Sequence, residues 1–365
     1  MNVIQTRAEI QAALDKLCNT GGKVYLPVGC YPLDAPLVID TPSSHLQGEV
    51  WAYNLDPNGV FETPYGTKLR LDGKDHPAVS IGVKALPAGA MVSDIGIQGD
   101  ILGMDTRGMF DCKRPFASAG LYLGGQRVDQ GDFSKVSCCG LACAVSIAEN
   151  AVIDACDFRK INMDGCCVGV YFAPAASYYA HFNRCVIADT PSYGFFADGS
   201  NSIQQKRGIH NVDITDIHFV RNCGANHLAE EPAAVYLKQI SRCAFRDNIV
   251  DAPGTFWYYE RIDAENYTRQ VYKTTAIGLY IIGNQNRIFN NVFLHSSRES
   301  VRIEGNGNVL MCNVADGDVI LDGENNTVNA LSFSTEGAKL ILKGAAADST
   351  LLFGVDESRV VRLPY

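Results

Sequence analysis

One short pattern returns along residues 150–333 and limits what this chain can fold into. A few apolar residues alternate with polar ones, an Asn, Cys or Asp follows, and a Phe, Val or Ile closes the unit. It reads Ala151-Val-Ile-Asp-Ala-Cys-Asp-Phe158, Asp213-Ile-Thr-Asp-Ile-His-Phe219, Gln239-Ile-Ser-Arg-Cys-Ala-Phe245, Arg287-Ile-Phe-Asn-Asn-Val-Phe293, Asn308-Val-Leu-Met-Cys-Asn-Val314 and Asn326-Thr-Val-Asn-Ala-Leu-Ser-Phe333. The closing residues recur roughly every 20 to 26 positions where no long insertion intervenes, which is the period of a solenoid. Within each unit the alternation has period two, so the units are short strands. A strand-only solenoid of this period is an all-β parallel β-helix, each turn a rung stacked on the last. A solenoid grows by adding rungs, so the 365 residues are expected to form a single elongated domain.

Charge narrows the partners. The net charge is −9 and no run of Lys or Arg occurs, which excludes the basic stripe that nucleic acid requires. The same balance argues mildly against strongly anionic polysaccharides, although a local basic groove is compatible with an acidic total. No segment approaches the roughly 18 consecutive apolar residues of a membrane span. The first residues show no charged region followed by an apolar one, so the expected location is the cytoplasm; a chain whose leader had been removed would look the same and would be secreted. Thirteen cysteines without a Cys-x-x-Cys read as reduced, small apolar fillers of the stacked interior, with a disulfide framework or a metal site as the alternatives. The neighbouring pairs Cys138-Cys139 and Cys166-Cys167 are expected to face opposite sides of a strand.

Along the chain, Thr6-Arg-Ala-Glu9 is a capping box that starts a helix over residues 6–18. Ile10, Leu14 and Leu17 share one face of it, suited to covering the open end of the first rung. Rungs with two long loops, 51–67 and 104–118, are expected over 19–150, the second loop carrying Asp105, Arg107, Asp111, Lys113 and Arg114. Central rungs with insertions at 189–208 and 251–275 follow over 151–276, and regular rungs over 277–365. Insertions on a solenoid gather on one side and build a binding face.

The opening Ile-Gln-Ala-Ala-Leu14 helix, then Gly21-Gly-Lys-Val-Tyr-Leu-Pro-Val-Gly-Cys-Tyr31 and Leu46-Gln-Gly48, resembles the start of the pectate-lyase-like, right-handed β-helix superfamily. The resemblance covers about the first fifty residues, and the rest through rung periodicity. It implies a right-handed, single-stranded parallel β-helix with an N-terminal capping helix, and it leaves activity open, because the fold carries many chemistries. The segment Asp189-Thr-Pro-Ser-Tyr-Gly-Phe-Phe-Ala-Asp198, followed by Gly283-Asn-Gln-Asn-Arg-Ile-Phe-Asn-Asn-Val-Phe293, resembles the inulin fructotransferase branch of that fold; Ser192 stands where the branch carries a further acid. Trimers are common among the proteins resembled, so a homotrimer is implied, with a monomer left open.

Breaking a sugar acetal needs one carboxylic acid to protonate the leaving oxygen and a second carboxylate as base, nucleophile or charge stabiliser. Asp198 is the first candidate, since it ends an apolar strand and enters a Gly-Ser-Asn loop; an Asx turn is the plain alternative. Glu230 and Glu231 are the second, one of them retaining its proton if held near another carboxylate. In Phe256-Trp-Tyr-Tyr-Glu-Arg-Ile-Asp263, the rings of Trp257, Tyr258 and Tyr259 suit stacking on sugars, and Glu260, Arg261 and Asp263 suit bonding to hydroxyls; gluing the insertion to the rung wall is the alternative. His181, His210, His218 and His227 lack metal-ligand spacing, and His210 and His227 are kept as substrate-binding candidates. No cofactor is expected. Calcium enters only for a lyase, for which Asp154, Asp157 and Asp164 have suitable spacing; rung-corner bonding is the plainer role for these three. The expected partner is a polysaccharide or oligosaccharide substrate, and the expected chemistry is cleavage or rearrangement of glycosidic bonds by paired carboxylates. A pectate-type lyase and a non-catalytic, tailspike-like carbohydrate binder stay open.

Overall fold

The computed structural model describes residues 6–18, 20–52, 66–71, 75–99, 118–125, 127–203, 209–225, 231–261 and 267–364, with the side chains of 258–261 and 267 left aside. Thr6 caps the helix Arg7–Asp15: its Oγ1 accepts from the Glu9 amide at 3.3 Å, and Glu9 Oε2 accepts from the Thr6 amide at 3.0 Å. Ile10 and Leu14 are buried, and the helix packs on the strands Gly22–Leu26, Gly29–Leu33 and Leu37–Ile39.

Two long parallel sheets and a short third one, made of Arg127–Asp129, Val152–Asp154 and Ala176–Ser177, form the walls of a right-handed β-helix. Each rung places two strands on the first sheet and one on the second, as in Cys156–Arg159, Asn162–Asp164 and Val168–Phe172. Equivalent residues stack in register from rung to rung. Phe133, Phe158 and Phe182 form one inward column, with ring centroids 5.0 and then 4.4 Å apart. The bend between the two strands of the first sheet is made by one residue with positive φ: Lys135, Lys160, Arg184, Asp216, Asp247 and Asn290 on successive rungs. Such a conformation costs a non-glycine residue about 1 kcal/mol or more. Here it turns the next residue into the core and keeps the rungs stacked.

Those next residues form amide ladders in the C-terminal half. Asn248 Nδ2 donates to Asn291 Oδ1 at 3.1 Å, and Asn291 Nδ2 donates to Asn313 Oδ1 at 2.9 Å. A second ladder runs from Asn286 through Asn308 to Asn326 at 3.1 and 3.2 Å. All six are buried. Cysteines occupy the same two corner columns in earlier rungs. Cys243 heads the second ladder, its amide donating to Asn286 Oδ1 at 3.1 Å, and Cys185 lies further up the first. Burial pushes the thiols of Cys156, Cys185 and Cys243 up to about 12, so they stay protonated and inert. Cys138 and Cys166 face the main core, whereas Cys139 and Cys167 lie in separate outer clusters; strand alternation explains the first pair, while Cys166-Cys167 lie in the bend between Asn162–Asp164 and Val168–Phe172.

Three expectations change. The closing residues of the repeat are not one column: Phe158 and Phe245 belong to the first strand of a rung, and Phe219, Phe293 and Phe333 to the second. Both strands carry an inward apolar residue followed by a similar corner, so periodicity alone does not separate them. Within the expected insertion 189–208, Phe195–Asp198 is a regular strand between Val168–Phe172 and Ala233–Ser241. Gly194, just before it, is required by stacking, since a Cβ there would meet Asn222 Oδ1 at 2.7 Å. The 251–275 insertion is an antiparallel hairpin of Thr255–Arg261 and Tyr267–Lys273, with Phe256 stacked on Tyr272 at 5.0 Å. Most of 51–67 and nearly all of 104–118 lie outside the described residues.

Two measurements test this interior. Asn291→Ala removes the amide that links Asn248 to Asn313 and the Phe245 carbonyl. We expect urea unfolding to show a loss of about 2–4 kcal/mol with an unchanged m-value. Among the described cysteines, a thiol reagent at pH 8 is expected to label Cys18, Cys30 and Cys312 rapidly, because only these are exposed; mass spectrometry identifying Cys156, Cys185 or Cys243 as equally fast would contradict the packing.

Candidate active site

The outward side of the second sheet carries a column of aromatic residues. Tyr122, Ser146, Tyr171, Phe196, Tyr236, Tyr280 and Arg302 are in register on successive strands. Tyr171 stacks on Phe196 at 5.4 Å, Phe196 meets Tyr236 edge-on at 5.7 Å, and Tyr236 stacks on Tyr280 at 5.0 Å. Tyr193 flanks them, 4.9 Å from Phe196. Tyr236 and Tyr280 are buried, while Tyr171 and Phe196 stay half-buried and so offer ring surface to a ligand.

Carboxylates border this column. Asp198, two residues beyond Phe196, faces Lys238 on the next strand at 3.5 Å and accepts from the Ser200 amide at 2.8 Å and from the Ser200 hydroxyl. It makes the Asx turn and still lies at the edge of the aromatic face. Glu149, exposed just after the strand Cys143–Ile147, accepts from the Tyr171 hydroxyl at 3.4 Å. Burial, and then the negative charges of Glu149 and Asp198, push the Tyr171 phenol far up, so it remains a proton donor at neutral pH. Further along, Tyr280 donates to Glu304 at 2.7 Å, and Arg302 binds Glu304 at 2.6 Å while covering the Tyr280 ring at 5.0 Å.

Of the residues expected from sequence, the fold brings Asp198 and His210 along one strand edge. The strand Ile209–His210 continues where Phe195–Asp198 leaves off beside Ala233–Ser241, placing His210 roughly 10 Å further along. The His210 ring meets the exposed Tyr178 edge-on, with centroids 6.5 Å apart. Glu231 is at the opposite end: its amide donates to the Tyr193 hydroxyl at 3.4 Å, and seven residues separate it from Lys238, the register partner of Asp198, roughly 20 Å of extended chain. Asp198 and Glu231 therefore border the same aromatic face without forming a pair. Glu230, His227 and Asp263 lie outside the described residues, as do the side chains of Tyr258, Tyr259, Glu260 and Arg261.

Trp257 is fastened to the rung wall. Its amide donates to Asp189 Oδ1 at 2.9 Å, Asp189 grips Arg221 through two bonds, and the guanidinium groups of Arg221 and Arg269 lie over the indole at 4.0 and 4.4 Å. Asp154 pairs with Arg127 at 2.7 Å on the short sheet, and Asp157 pairs with His181 at 3.2 Å on the first long sheet, so the carboxylates considered for calcium are divided between walls. Glu149 and the tyrosine column escaped the sequence reading. A signal was present, since Gly120-Leu-Tyr122-Leu, Gly169-Val-Tyr171-Phe, Gly194-Phe-Phe196-Ala and Gly278-Leu-Tyr280-Ile repeat one motif with an aromatic at the outward position.

No protein-family profile and no curated protein sequence matches the chain. Solved structures do match in fold. DFA-IIIase from Arthrobacter chlorophenolicus without its lid, in complex with GF2, superposes with a TM-score of 0.69 at 13% identity, covering 100% of this chain and 96% of that one. The same enzyme in complex with DFA-III gives 0.60 at 12% identity, covering 97% and 91%. ORF18 of Geobacillus virus E2 gives 0.55 at 13% identity, and this chain spans 57% of its length. At these identities the likeness is one of fold: a right-handed parallel β-helix closed by an N-terminal helix.

The packing around Trp257 yields a prediction. Trp257→Ala is expected to raise hydrogen exchange in the 255–273 hairpin, a local loss of about 1–3 kcal/mol. Unchanged exchange would contradict the anchoring of Trp257 to the wall.

Proposed function

We propose that the protein is a carbohydrate-active enzyme that cleaves or rearranges glycosidic bonds of a neutral oligosaccharide or polysaccharide on the outer face of its second sheet. The observation that carries this reading is Tyr171, set in an aromatic column with Glu149 bonded to its hydroxyl and the charge of Asp198 close by. Sugar rings pack their C–H faces on half-buried aromatic surface, and the Tyr171 oxygen, its proton given to Glu149, accepts from a sugar hydroxyl. Glu149 and Asp198 rise from strands two rungs apart, on the order of 10 Å at the backbone. Carboxyl groups with room for a water between them are roughly 6.5–9.5 Å apart, and a rung spacing of this size lets the two side chains reach such a separation. In this step one of the two carboxyl groups gives its proton to the leaving oxygen while the other, as carboxylate, takes the proton of the attacking hydroxyl, so that Glu149 and Asp198 exchange protonation states. Water as the nucleophile gives hydrolysis, and a hydroxyl of the same saccharide gives intramolecular transfer.

The fold likeness supports the fructotransferase branch of the resemblance in particular, since the DFA-IIIase structures carry the oligosaccharides GF2 and DFA-III.

The test is a screen of the purified protein on inulin, levan and neutral glucans beside pectate and alginate, with and without chelator, reading product sugars and ultraviolet absorbance. We expect new non-absorbing oligosaccharides from a fructan, insensitive to chelation. Asp198→Asn and Glu149→Gln should each lower kcat by about 10²–10⁴ at unchanged thermal stability. Absorbing products that vanish with chelator would instead establish a lyase, and no turnover of any substrate a non-catalytic binder.

A further inference from the structure

We propose that the first long sheet holds a separate anion-binding site, suited to a tetrahedral oxyanion such as sulfate or phosphate, free or esterified to a sugar. An open cavity of about 270 Å³ on the outside of that sheet is lined by Ser134, Lys135, Arg159, Lys160, Asn183 and Arg184. Ser134, Arg159 and Asn183 are one outward column, in register on three successive strands. Lys135, Lys160 and Arg184 are the corner residues that follow each of them, all with positive φ.

Stacking sets neighbouring rungs about 4.8 Å apart, so three corner cations rise from within roughly 10 Å of one another, and Arg159 adds a fourth. Like charges at this spacing repel. The turn itself does not call for them: the same corner carries Asp94, Asp216, Asp247 and Asn290 on other rungs, and Asp and Asn are the side chains that best accept positive φ. The cations are balanced only in part. Lys135 reaches Asp94 at 3.1 Å, Arg159 reaches Asp132 at 2.5 Å, and Arg184 reaches Asp216 at 3.4 Å. The exposed Lys160 side chain makes no ion pair or hydrogen bond among the described residues. The cavity is thus walled by four cations and by the neutral donors of Ser134 and Asn183, and none of the balancing carboxylates lines it. Guanidinium and ammonium groups converging in this way match the three or four acceptor oxygens of a sulfate or phosphate. The four cations and their three carboxylate partners leave one positive charge, at Lys160, in a chain whose net charge is −9.

This site lies on a different sheet from the aromatic face and does not depend on the activity proposed above. The experiment is isothermal titration calorimetry of the full chain with inorganic sulfate, inorganic phosphate, glucose 6-sulfate, glucose 6-phosphate and glucose, all at one ionic strength. We expect saturable binding of the oxyanions and none of glucose. Lys160→Ala should weaken binding by about tenfold, the loss of one charge-assisted contact, and Lys160→Glu should abolish it. Esters binding more tightly than the free anions would identify a sugar-borne group as the ligand, and equal affinities the free anion; both support the site. Absence of binding by any oxyanion overturns the proposal. So does binding that both Lys160→Glu and Arg184→Ala leave intact, with thermal unfolding used to confirm that each variant is folded.

Discussion

Strict parallel register between rungs is the constraint on which the rest of the molecule depends. Each strand bonds to the equivalent strand one turn on, so a residue type at one position of a rung meets the same position of the next. Inside, a position must tolerate contact with its own repeat. Phenylalanine does so by stacking, as Phe133, Phe158 and Phe182 show. Asparagine does so by offering a donor on one side and an acceptor on the other, and Asn248, Asn291 and Asn313 bond head to tail on that basis. A buried amide is costly alone and inexpensive in a ladder, so the ladders favour in-register stacking over any slipped alternative.

The same constraint builds the outer surfaces. A side chain that points outward on one rung becomes a column as soon as its neighbours agree with it. On the second sheet the column is aromatic and is bordered by Glu149, Asp198 and Glu304. On the first sheet, the corner residues that are Asp94, Asp216, Asp247 and Asn290 on other rungs become Lys135, Lys160 and Arg184 and wall a cavity. A β-helix thus obtains extended columns of one chemical character on its outer surface from point choices, without dedicated loops. Where an insertion is present, as in the 255–273 hairpin, its Trp257 is anchored to the wall by Arg221 and Asp189.

Much of the fold was legible because it is local. Thr6 and Glu9 announce a capped helix within one turn of chain, period-two alternation announces strands, and cysteines without metal spacing announce core fillers, although Cys18, Cys30 and Cys312 are exposed instead. Less of the site was legible. Asp198 stood out as the polar end of an apolar strand, and it does border the aromatic face. Its partner was sought at Glu230 and Glu231 because these are adjacent in sequence and lie in an insertion, whereas the fold sends Glu231 to the far end of the strand. Glu149 is separated from Asp198 by two rungs of chain and looks like any exposed residue after a strand.

By itself the sequence determined that this chain is a stack of β rungs closed by a helix, because periodicity, capping and turn chemistry act over a few residues. Only the tertiary structure decided which strand of a rung each repeat unit enters, that Tyr171 meets Glu149 and lies beside Asp198, and that three corner cations share one cavity. These are contacts between residues about one rung or more apart. Their closeness is set by the number of residues in each intervening turn and by the register of the strands, and neither is written in the residues that meet.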